Sequence, residues 1–99
     1  AMTKEDMDRI ANDFAVAATY MQKAGFDGVL LHGGHGFIFT QFLSPLMNTR
    51  TDEYGGSLEN RAKFPIQICK AVREAVGDDF LIELRIDGTD HQPGGIRSY

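Results

Sequence analysis

Met7, Ile10, Ala11, Phe14, Ala17, Ala18 and Met21 recur at the three- and four-residue spacing of a helix with one buried face. Thr3 ahead of Lys4, Glu5 and Asp6 supplies a capping hydroxyl and places acids at the positive helix end. Gly25 closes that helix, and Asp27-Gly28 turns the chain into Val29-Leu30-Leu31. This short continuous apolar run is of the kind found in strands covered on both faces. His32 therefore falls at the carboxyl end of a strand.

Phe37 to Leu43 is apolar enough for one or two helical turns, which Ser44-Pro45 stops; Phe39, Phe42 and Leu43 read as packing residues. Asn48 to Gly56 is a long polar surface loop, of a length that is often functional, with a mobile connection as the plainer reading. Ser57 caps a second long helix running to about Val76, with Gly77 at its end and Ile66, Cys69, Val72 and Val76 on its buried face. Pro65 within it implies a kink, or a short helix followed by another. Phe80 to Ile86 is a second strand, with Leu81, Glu83 and Arg85 on one face and Ile82, Leu84 and Ile86 on the other. From Asp87 to Tyr99 there is no periodicity, and the segment reads as a loop. Helix, strand, loop, helix, strand is the order of parallel α/β proteins, whose ligands gather at the carboxyl ends of the strands.

Composition narrows the classes. At 99 residues the chain holds at most one small domain, and its 42% hydrophobic content is that of ordinary globular proteins. A net charge of -4 without a basic run argues against nucleic acid. No apolar run approaches the roughly 20 residues that span a bilayer, and no signal-peptide plan is visible at the N-terminus, so no membrane partner is expected. Cys69 is the sole cysteine, which leaves no disulfide framework and suits a reducing cytoplasm. Its setting reads as a packed thiol rather than a nucleophile. Ala1 before Met2 reads as a tag remnant.

The candidate chemistry lies in His32-Gly33-Gly34-His35-Gly36-Phe37. Two imidazoles separated by residues without bulk can be aimed at one acceptor atom while the backbone stays close to a flat ligand. Simple solvation of both histidines is the plainer reading. Arg85, at the carboxyl end of the next strand, borders the same region, and a cation beside hydrogen-bond donors suits a ligand that develops negative charge. Arg85 could equally neutralise Glu83 on its own face, and both can hold together. A metal site on His32 and His35 needs a further ligand, with His91 and the loop acids as candidates in principle. The glycine-rich stretch lacks the spacing of a phosphate loop, and no serine or cysteine nucleophile stands beside a base.

Ala24-Gly25-Phe26-Asp27-Gly28-Val29, His32-x-x-His35-Gly36, Gln41-Phe42-Leu43-Ser44-Pro45 and the block Asn48 to Arg61 (NTRTDEYGGSLENR) together resemble the old yellow enzyme family. Its members are FMN-dependent NAD(P)H:flavin oxidoreductases and ene-reductases, including 2,4-dienoyl-CoA reductase-like proteins. The likeness runs over roughly residues 3 to 96, and the 48–61 block is highly specific. It implies a TIM (β/α)8 barrel carrying FMN, reduced by NAD(P)H and reoxidised by a small-molecule activated alkene. It further implies that His32 and His35 donate hydrogen bonds to the substrate's carbonyl or nitro oxygen, that Arg85 lies near the pyrimidine end of the flavin, and that Phe37 lines the substrate pocket.

Two departures accompany the resemblance. The family usually has a tyrosine where this chain has Phe37, and a phenyl ring cannot donate the proton that completes alkene reduction. A complete barrel needs about 250 residues, so residues 1–99 amount to a partial barrel domain with about two of the eight strands. The flavin phosphate site is built by later strands, so the isolated chain is expected to be inactive. A catalytically silent module that self-associates through exposed strand edges is the alternative.

Overall fold

The computed structural model describes residues 2–33, 38–86 and 95, and its elements run in the order α1 (Lys4–Lys23), β1 (Gly28–Gly33), α2 (Ile38–Leu43), α3 (Leu58–Val76) and β2 (Leu81–Ile86). The chain forms two compact units, one of Ala1–Leu31 with Ile66–Glu83 and the other of His32–Pro65 with Leu84–Tyr99.

In the first unit α1 starts on a full capping box. The Thr3 hydroxyl accepts from the Asp6 N–H at 3.1 Å, and the Asp6 carboxylate accepts from the Thr3 N–H at 3.1 Å. The helix stops before Gly25, whose positive φ of 95° is open to glycine at little steric cost. Met7, Ala11, Ala15 and Ala18 form its buried stripe, with Ile10 and Phe14 half-buried beside it. The expected stripe is therefore rotated slightly: Ala17 and Met21 are exposed, and Ala15 takes the inward place. Three of these four buried positions are alanines, which lets a neighbouring helix approach closely. That neighbour is α3. Gln67 donates to the Asp8 carboxylate at 2.7 Å and Gln22 donates to the Val76 carbonyl at 2.7 Å, so the two helices run in the same sense. Ile68, Val72 and Val76, with Leu31 of β1 and Phe80, complete this core.

In the second unit Phe39 and Phe42 of α2 are buried together with Tyr54 and Phe64. The Phe42 and Phe64 rings meet with centroids 4.8 Å apart and planes tilted by 59°. Helix α2 ends at Leu43, before Ser44-Pro45, as the sequence implies.

Helix α3 is one assigned element across Pro65, so the expectation of two successive helices is not met. Pro65 leaves the Arg61 carbonyl without its helical N–H, a defect that costs about 3 kcal/mol. Burial of Phe64 and Ile68 on either side, each contributing about 1.5–3 kcal/mol, offsets it. The buried residues Phe64, Ile68, Val72 and Val76 stand four apart, and this fixes the inward face. Ile66, expected inside, is 50% exposed because two residues from Phe64 it points to the opposite side of the helix; Cys69 is only half-buried.

Strands β1 and β2 are hydrogen-bonded neighbours. Gly28 lies against Leu81 and Gly33 against Arg85 and Ile86, so both strands advance in the same direction and the pairing is parallel. Alternation puts Leu30 and His32 on the face of Leu81, Glu83 and Arg85, and puts Leu31 and Gly33 on the face of Ile82, Leu84 and Ile86. Coverage of both faces is not seen. Leu31 is buried, whereas Leu30 and Leu81 are 58% and 57% exposed.

Replacing Phe64 with alanine in the full-length protein carrying this chain is expected to cost about 3–5 kcal/mol in chemical denaturation. Ile66→Ala is expected to cost about 1 kcal/mol or less, and equal losses would contradict the assigned helix face.

Candidate functional site

The second unit gathers the sequence-predicted site residues that are described. His32 is the penultimate residue of β1 and Arg85 the penultimate residue of β2, and both side chains are exposed. Parallel register places them at the same, carboxyl end of the pair, and alternation places them on the same face. The expected pocket bordered by both imidazoles and the guanidinium includes His35, so only the placement of His32 and Arg85 is described. His35, Phe37 and His91 lie outside the described residues, as does the segment 87–94. Among the described residues no group of three His, Cys, Asp or Glu side chains could hold a metal ion, and no helix is long and apolar enough to cross a membrane.

The strands meet very closely at this end. A Cβ on Gly33 would lie 2.7 Å from the Arg85 carbonyl oxygen and 3.0 Å from Ile86 Cγ2, so only glycine allows the contact without displacing β2. The Gly33 carbonyl accepts from Thr40 Oγ1 at 3.0 Å, which ties the strand end to α2.

Behind α2, the 48–57 loop is built around one buried amide. Asn48 is 8% exposed; its Nδ2 donates to the Phe42 and Tyr54 carbonyls, both at 2.8 Å, and its Oδ1 accepts from the Arg50 N–H at 3.1 Å. Every hydrogen bond made by that side chain is to backbone, so it holds three points of the chain at fixed distances. Gly55 sits where a Cβ would run into the Arg50 carbonyl, which explains glycine at that place. Arg61 donates from Nε to the Leu43 carbonyl at 2.8 Å and from Nη1 to the Gly56 carbonyl at 2.7 Å, and Asn60 Nδ2 donates to the Gly55 carbonyl at 3.0 Å. The loop is thus fastened to the C-terminal end of α2 and to the start of α3.

At its rim Arg50 forms a two-pronged pair with Asp52, Nη2 to Oδ2 at 2.6 Å and Nε to Oδ1 at 3.1 Å, while its guanidinium carbon lies 5.9 Å from the ring centroids of Phe42 and Tyr54. The Arg50 side chain's hydrogen bond, followed by that of the Tyr54 N–H, holds the Asp52 carboxyl below its ordinary range. Burial acts oppositely on Cys69 and pushes its thiol up, which agrees with a packed rather than a reactive cysteine.

The organising residues Thr40 and Asn48 were not singled out from the sequence. The hydroxyl beside Gln41 in a short helix of otherwise apolar residues was the available signal for Thr40, and the first polar residue after Leu46-Met47 was the signal for Asn48.

His32 and Arg85 thus stand at strand carboxyl ends, and comparison with known proteins gives the chain a family. Residues 1–96 match the model of the NADH:flavin oxidoreductase / NADH oxidase family, whose cofactor is FMN. The chain belongs to that family. The NADH-dependent flavin oxidoreductase nadA of Aspergillus parasiticus is 42% identical over 96 residues, 97% of this chain and 22% of its own length. The 12-oxophytodienoate reductase 2 of Arabidopsis thaliana is 49% identical over 75 residues, 76% of this chain and 20% of its own. A solved 2-naphthoyl-CoA reductase, in complex with 2-naphthoyl-CoA, superposes with a TM-score of 0.90 at 41% identity over 95% of this chain and 14% of its own. The chain therefore spans about a fifth or less of these relatives, and the resemblance to the old yellow enzyme family holds.

Because the Asp52 carboxyl is held low, its contribution to stability is fully present above the unfolded carboxylate value and is lost as pH falls through the lower folded value. Asp52→Asn in the full-length protein should lower the melting temperature at neutral pH, with a gap that closes as the buffer is taken below about pH 4. A gap independent of pH would contradict this role.

Proposed function

We propose that the chain is a segment of an FMN-dependent NAD(P)H oxidoreductase that reduces activated alkenes of the enoate, enone or dienoyl type. In this reading it contributes about two of the eight strands of a (β/α)8 barrel and supplies part of the rim at which substrate and flavin meet. The observation that carries the reading is the parallel register of β1 and β2, which brings His32 and Arg85 to one end and one face. The relatives named as 12-oxophytodienoate and 2-naphthoyl-CoA reductases support a substrate of this class.

The donor set fits a flavin that becomes anionic on reduction. Arg85 carries a guanidinium, exposed at a strand carboxyl end, and it would sit at the pyrimidine end of the cofactor. FMN, when bound, supplies the hydride that NAD(P)H delivers and the alkene takes up. His32, with His35, holds the substrate's carbonyl or nitro oxygen by donated hydrogen bonds. Charge gathers on that oxygen as the β-carbon takes up hydride, so donors fixed beforehand lower the barrier. Phe37 lines the substrate pocket as an apolar wall. It carries no proton to give, so water or another group supplies the proton to the α-carbon.

A second reading has one specific observation in its favour. The exposed apolar Leu30 and Leu81 suit a silent module that covers them by self-association. FMN titration followed by visible absorption separates the two. The proposal expects the full-length protein carrying this chain to hold FMN as a monomeric or oligomeric flavoprotein, and His32→Ala to retain FMN while alkene reduction falls about 100-fold. A protein that stays colourless with excess FMN, or a His32→Ala variant with unchanged alkene turnover, would overturn it.

A further inference from the structure

Thr40 has no part in the chemistry just described, yet its buried hydroxyl makes its hydrogen bond at the end of β1. Its side chain lies in the buried interior at 2% exposure, where a hydroxyl is unfavourable without a bonding partner. A helical threonine commonly bonds the carbonyl three or four residues back. Thr40 instead reaches seven residues back and donates to the Gly33 carbonyl at 3.0 Å. Gly33 is the last residue of β1 and follows His32 directly. With no side chain, and with no room for one against Arg85 and Ile86, Gly33 has more backbone freedom than any other residue type. Among the described residues β1 ends there, and the Thr40 hydroxyl supplies a hydrogen bond to its last carbonyl.

We propose that Thr40 is a positioning residue for His32. Its bond anchors the carbonyl of Gly33, the residue that follows His32, while the pairing with β2 fixes the strand itself. The direction in which the exposed His32 imidazole leaves the backbone is set between these two restraints. This inference rests on the reading of His32 as a donor to substrate oxygen, and it adds a residue of α2 to the machinery that aims that donor.

The test uses the full-length, FMN-loaded protein. Thr40→Val keeps the shape and removes the hydroxyl, whereas Thr40→Ser keeps the hydroxyl. Thr40→Val is expected to lose about tenfold in kcat/KM for an activated enone and to weaken binding of the saturated ketone product by a similar factor, without turnover. Thr40→Ser is expected to stay within about twofold of the parent. Combined with His32→Ala, Thr40→Val should cause no further loss, because a residue that acts through another has nothing left to position. An equal loss from Thr40→Val with and without the His32 imidazole would make its role merely structural and overturn the proposal, as would a serine variant no better than valine. Should Thr40→Val give no flavoprotein, Thr40→Cys is read by the same cycle, its weak donor predicting a loss between those of serine and valine. If His32→Ala alone leaves turnover unchanged, the reading of His32 falls and takes the proposal with it. An impaired His32→Ala beside an unimpaired Thr40→Val overturns the Thr40 assignment alone.

Discussion

Everything at the candidate site depends on the parallel pairing of β1 with β2. Parallel register sends both strand ends the same way, and alternation then decides which side chains share a face. Slipping one strand by a single residue would move Arg85 to the other face and leave His32 without its cationic neighbour. Gly33 permits this register at the point of closest approach, since a Cβ there would strike the β2 backbone. The same residue that lets the strands meet also gives the strand end its freedom, and the Thr40 hydroxyl answers that freedom.

A second restraint comes from the 48–57 loop, in which side chains substitute for regular secondary structure. Asn48 holds the Phe42 and Tyr54 carbonyls, and Arg61 holds the Leu43 carbonyl, so the last turn of α2 has partners for groups that a helix end leaves bare. The specificity of the 48–61 sequence block follows from this wiring. Each of Asn48, Arg50, Asp52, Gly55, Asn60 and Arg61 meets a demand of geometry, either a hydrogen bond or a close backbone approach. None of these roles is chemical, although the block is what makes the family recognisable.

Local rules made the element order readable in the sequence. The Thr3 capping box, the glycines at 25 and 77 and the stop at Ser44-Pro45 act within one or two turns, and each lies where the pattern places it. Errors arose where packing decides. Ile66 looks like a core residue by type, but the inward face of α3 is set by Phe64 and Ile68, and Pro65 is carried inside the helix by their burial. At the site, His32 and Arg85 could be placed from strand ends alone. Thr40 and Asn48 could not, because their value lies in bonds to backbone carbonyls that no residue pattern displays.

In the proposed function Arg85 and His32 face one flavin-bearing site. The midpoint potential of the flavin bound to the full-length protein, compared between the parent and Arg85→Met, tests it most directly. A guanidinium beside the pyrimidine end stabilises the anionic reduced state, so its removal should make the potential more negative, by about 30 mV for each 1.4 kcal/mol of stabilisation lost in a two-electron couple. A potential unchanged in Arg85→Met, with FMN still bound, would contradict the account.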